Sequence, residues 1–166
     1  MHSVLIDGHA ASGVLAFVAG CVSLWRRRAF WVYFWALATL VVFLVAALAV
    51  DWSGLATALR AVFAALTALA CYVVWRAWHA HRLLTARSGP AALRYLDDVG
   101  FTLIALFDGF AIIAVLTSGA PGWLAAVVGV AGVVLGHITV RRLKARVPAA
   151  PGPTGEPARA AARSRA

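Results

Sequence analysis

Five apolar stretches alternate with short polar connections along the chain, covering about 8–25, 29–50, 55–78, 99–116 and 123–140. Each is long enough for an α-helix to cross a hydrocarbon core about 30 Å thick, which takes roughly 20 residues. Neither a strand's period of two nor a single apolar stripe on an otherwise polar helix describes these stretches. The pattern predicts an all-α, polytopic transmembrane bundle of five spanning helices. Arg26–Arg28 joins the first two stretches, and Asp51, Trp52, Ser53 and Gly54 join the second to the third. The run from His79 to Asp98 is the longest connection, broken at Ser88, Gly89 and Pro90, with Pro90 placed to start a short interfacial helix through Leu93 and Leu96. Thr117 to Gly122 makes the last turn.

Charge orients this bundle. Arg26 to Arg28, Arg76, Arg82, Arg87 and Arg94, then Arg141, Arg142, Lys144 and Arg146 all fall beyond one set of helix ends, and the two loops at the other set carry no Lys or Arg. The positive-inside rule places the N-terminus outside and the C-terminus inside the cytoplasmic (inner) membrane. Trp and Tyr mark both interfaces, with Trp31, Tyr33, Trp35, Tyr72, Trp75 and Trp78 at the basic ends and Trp52 and Trp123 at the opposite ends. The short N-terminus has no basic region ahead of its apolar stretch, the reverse of a cleaved signal peptide, so the first stretch is expected to remain as a span. Residues 147–166, rich in Pro, Ala, Gly and Arg, read as a disordered basic cytoplasmic tail.

Composition agrees: 63% of the 166 residues are hydrophobic and 13% charged, so the solvent is lipid. The net charge of +9 sits in clusters that orientation already explains, which argues against nucleic acid as a partner. Cys21 and Cys71 both lie within apolar stretches and form no C-x-x-C, so neither a disulfide framework nor a metal site is indicated.

The candidate chemistry is a few costly polar groups. Asp108 falls near the middle of the fourth stretch, where an ionisable side chain costs at least about 2.5–3.5 kcal/mol. It is expected to point inward, either as a structural, hydrogen-bonded group or as a functional one. Arg60 is the candidate cationic partner, about 8 Å deep against about 15 Å for Asp108 at roughly 1.5 Å per residue, a gap its long side chain can close, and the competing geometry turns Arg60 outward to Asp51 or the headgroups. Arg60, Ala64, Thr67 and Cys71 share one helical face, which predicts a central third helix. His9, Gly13, Ala16 and Gly20 form a comparable stripe on the first. Asp108, Arg60 and His9 are therefore the candidate lining of a weakly polar, outward-opening interior that binds a small ligand, an ion or a partner subunit.

Alternatives remain. His137, with His79 or His81, stands at a depth suited to axial ligation of haem b in an electron-transfer subunit. A purely structural accessory subunit is a third reading. Asp7, His9 and Ser12 are local neighbours without a nucleophile motif, and no catalytic signature marks an enzyme. Gly122, Gly129, Gly132 and Gly136 let another helix approach closely, either within the chain or across a seam with a second copy or a partner membrane subunit.

HAASGVLAFVAG in the first stretch, VDWSG at the first outer turn and DDVGFTLIALFDGF in the fourth carry a resemblance. On these the chain, over about Met1 to Arg146, resembles uncharacterised small multi-pass integral membrane proteins of high-GC actinobacteria. The resemblance implies a cell type and a membrane location, and no mechanism.

Overall fold

A computed structural model describes residues 2–54 and 57–148. Five α-helices follow in order: α1 (His2–Trp25), α2 (Phe30–Asp51), α3 (Thr57–His81), α4 (Gly89–Thr117) and α5 (Gly122–Lys144), with single 3-10 turns at Arg27–Ala29 and Trp52–Gly54. No strand occurs among the described residues. Four of the helices, α1, α2, α4 and α5, are long and apolar enough over their described residues to cross a membrane. Val18, Trp35, Val42, Ile113, Val130 and Leu135 lie exposed on helix surfaces, as a bundle solvated by lipid requires.

The fourth helix is longer than the sequence predicts. Gly89 takes φ 69°, a left-handed conformation that costs an L side chain energy, and Pro90 follows in the first turn with φ preset for a helix. From there Ala92, Tyr95, Leu96, Val99 and Leu103 recur at helical spacing and are all buried. The expected interfacial helix and the expected span thus merge into one rod, and the connection shrinks to the seven residues of 82–88. The residues from 149 onward, expected to be a disordered tail, lie outside the described residues.

In the packing, α1 pairs with α2, α2 with α3, α3 with α4, and α4 with α1, closing a four-helix ring. The fifth helix packs on the outside of α4. Without a hydrophobic driving force between helices in lipid, close fit is what holds them. Gly13 and Gly20 of α1 admit Leu40 and Tyr33 of α2 and Phe110 and Leu103 of α4. The α1 stripe through Gly13, Ala16 and Gly20 is buried accordingly. The α3 stripe is not: Ala64 and Cys71 are exposed, and among the described residues α3 enters the core through Val73, Ala77 and Ala80, with Val74 packed against them. The stripe expected to make α3 central therefore faces outward, and the helix joins the ring through its other face at the His79 end. The reason is volume, since Phe30, Tyr33, Phe34 and Tyr95 occupy the ring interior and accept only small side chains from α3.

Candidate functional site

The three residues expected to line one interior are placed on three different contacts. His9 Nδ1 lies 3.1 Å from the Leu40 carbonyl oxygen, a pure acceptor, so this nitrogen carries the proton and donates. Arg60 turns away from the bundle, donating from Nη2 to the Ser53 carbonyl at 3.1 Å with its guanidinium 5.9 Å from the Trp52 ring. The outward geometry therefore prevails over a pair with Asp108, while the Asp51 side chain lies outside the described residues. Asp108 sits in the seam between α4 and α5. There Gly100, Ile104, Asp108 and Ile112, at steps of four, face Val140, Gly136, Gly132 and Gly129 in turn. The carboxylate rests directly over Gly132, and its Oδ1 is enclosed without a hydrogen-bond partner among the described residues.

The same seam accounts for the glycine face of α5. Gly129, Gly132 and Gly136 are covered by α4 of the same chain, and Gly122 faces open space. Three of the four glycines considered for a seam with another chain are thus engaged internally.

The histidines also separate. His137 is exposed on α5. His81 lies among aromatic rings, 4.7 Å from Trp31 and 5.6 Å from Trp78 between centroids. His79 donates from Nδ1 to Asp98 Oδ2 at 2.6 Å. α3 and α5 each pack on α4, so His79 and His81 lie on one neighbour of that helix and His137 on another. Among the described residues no three His, Cys, Asp or Glu side chains converge as a metal site.

The principal polar centre instead surrounds Asp98, which the sequence reading leaves in a connection. Arg76 Nε and Nη2 donate to Oδ1 at 2.9 and 2.8 Å, and His79 holds the other oxygen, so both lone-pair sets of the carboxylate are engaged. Asp98 is buried, and Thr102 one turn on donates to its carbonyl at 3.1 Å. The Tyr33 hydroxyl, fully buried, has no partner among the described residues. Tyr95 donates to the Ser23 carbonyl at 3.2 Å, and Arg27 stacks on the Tyr95 ring at 3.4 Å from its centroid. These contacts tie α1, α3 and α4 together at the arginine-bearing end. The signal that finds Asp98 is the period through Tyr95, Leu96 and Val99, which puts it on the buried side of a helix. An Asp–His pair of this kind orients an imidazole, but among the described residues no hydroxyl or thiol is hydrogen-bonded to His79.

A lateral groove of about 360 Å³ runs between α1 and α5 over α4. Its walls are three helical stripes: Phe17, Cys21 and Leu24 on α1, Leu96, Gly100, Leu103 and Phe107 on α4, and Gly132, Gly136, Thr139 and Leu143 on α5. Nearly all of this surface is apolar, and the exposed Trp25, Leu135 and Thr139 at its margin show that it opens to the side. No protein family, curated protein or solved structure matches the chain.

Proposed function

We propose that this is a five-span protein of the cytoplasmic membrane, N-terminus outside and C-terminus inside, whose role is to bind a membrane-resident ligand in the groove between α1 and α5. The charge asymmetry of its loops supports the orientation. The binding role expected from the sequence is kept, and its place moves from an outward-opening pocket to the side of the bundle.

The observation that carries this reading is the groove itself. Concave apolar sites of roughly 300–1,000 Å³ are where proteins bury small ligands, and helix interfaces are among their usual places. Here the ring of α1 to α4 closes without α5, so α5 is free to stand off from α1 and leave the third side of α4 uncovered.

Mass spectrometry of hydrophobic species that co-purify with the full chain in mild detergent tests it. Thr139→Trp fills the groove from an exposed position, and Ile138→Trp adds the same bulk on a face outside it. A species retained with Ile138→Trp and depleted severalfold with Thr139→Trp is the expected result. Equal recovery from all three proteins removes the groove as a binding site and leaves a structural accessory subunit as the reading.

A further inference from the structure

Directly beyond the basic end of the groove lies a second cavity of about 400 Å³, sharing Leu24, Trp25, Leu96 and Leu143 with it and adding Arg27, Arg87 and Arg146. The two form one continuous depression, apolar along its length and cationic at its mouth. We infer that its occupant is an anionic glycerophospholipid, with the phosphate among Arg27, Arg87 and Arg146 and an acyl chain along the groove. The inference rests on the groove reading above and names the ligand class of that site.

Charge accounting at this end supports it. Asp97 and Asp98 are the two carboxylates on the adjoining turns, and both are occupied: Asp97 by Lys144 Nζ at 2.9 and 2.8 Å, Asp98 by Arg76 and His79. Among the described residues no acidic side chain lines the cavity, and none of its three arginines forms an ion pair. Arg27 is held in place by its stack on Tyr95 and a weak 3.4 Å bond to the Ala86 carbonyl, and its side chain borders the cavity. Guanidinium groups suit phosphate because their planar donors match its oxygens, and basic pockets between spanning helices at the cytoplasmic face are where anionic headgroups bind.

Length agrees with the same occupant. From Leu143 to Gly132 the groove follows α5 for about 16 Å at roughly 1.5 Å per residue. That is close to half of a hydrocarbon core about 30 Å thick, the depth one leaflet's acyl chain reaches from its headgroup. A partner helix would have to run past the mouth and bring its own counter-charge to three arginines. A lipid of this class already carries it.

The test is native mass spectrometry of the full chain released from micelles containing dioleoylphosphatidylglycerol or dioleoylphosphatidylcholine. The parent is expected to retain one phosphatidylglycerol at about tenfold lower lipid concentration than phosphatidylcholine. Arg87→Gln with Arg146→Gln, both exposed side chains, should bring the two lipids level. Arg141→Gln with Arg142→Gln, at the same end but outside the cavity, should keep the preference. Thr139→Trp should weaken both lipids severalfold. Equal loss of preference in the two arginine pairs overturns the inference in favour of diffuse surface charge. Binding that is sensitive to Thr139→Trp but indifferent to headgroup overturns the anionic class and leaves the groove. Insensitivity to Thr139→Trp, with glycerol 3-phosphate displacing the lipid, overturns the acyl placement and the groove reading together.

Discussion

Removing Arg76 should strand the Asp98 carboxylate. The Asp98 side chain is 10% exposed and that of Arg76 20%, so neither recovers its full hydration when the other is lost. Breaking a buried pair from one side costs about 3–5 kcal/mol. Because His79 still holds Oδ2, the lower end applies, and Arg76→Met and Asp98→Leu are each expected to lose about 3 kcal/mol. The double variant carries no uncompensated arginine–carboxylate partner and should lose far less than the sum, giving a coupling of about 2 kcal/mol or more. Asp97 and Lys144 provide the comparison on the same bundle. Their side chains are 43% and 33% exposed, so their coupling should fall below about 1 kcal/mol. Equilibrium unfolding of all variants in mixed micelles measures both cycles. An Arg76–Asp98 coupling below about 0.5 kcal/mol, within the range of independent sites, would refute the buried clamp.

Two further outcomes follow from the seams and the loops. Gly132→Ala places a methyl group on Asp108 Oδ1 and should cost about 1–3 kcal/mol, a loss that Asp108→Ala largely restores; Gly109→Ala, which meets nothing within 4 Å, should cost nothing in the same unfolding assay. In a background lacking Cys21 and Cys71, cysteines at Ser53 and Ala120 should react with an impermeant maleimide added to intact cells, and those at Ala86 and Ala150 should not. Labelling at Ala86 reverses the orientation.

Much of the fold is legible because lipid imposes a simple code on helix length: α2 follows its apolar stretch to within a residue at each end, while α1 starts six residues before its stretch and α5 runs four residues past its own. The start of α4 was hidden by two polar signals. Ser88, Gly89 and Pro90 end one helix and also begin the next, and the Asp97–Asp98 pair resembles a loop until the period through Ala92, Tyr95 and Leu96 is counted. Small-residue stripes proved ambiguous for a physical reason. The glycines of α1 face bulky Tyr33, Leu103 and Phe110, whereas Ala64 and Cys71 of α3 are exposed, and a stripe specifies a close approach only when something fills it. Arg60 illustrates the reach of a long side chain: the Ser53 carbonyl at the helix end is a better acceptor than a distant carboxylate, and depth along the helix does not decide between them.

Tyr95 is fully buried against Phe30, and its hydroxyl reaches Ser23, 72 residues earlier in the chain. Measured in time instead of distance, that separation is about 4–14 s of synthesis at roughly 5–20 residues per second. For the last 44 residues of that interval, about 2–9 s, α1 and α2 are already made, while Phe30, Tyr33 and the Arg27 guanidinium lack the helix that encloses them. The newborn hairpin must therefore wait half-finished in the bilayer, its aromatic side facing lipid or the insertion machinery, until α4 arrives. A chain stalled or cut before Tyr95 would display that unfinished side permanently, offering membrane quality control a feature that the completed protein conceals.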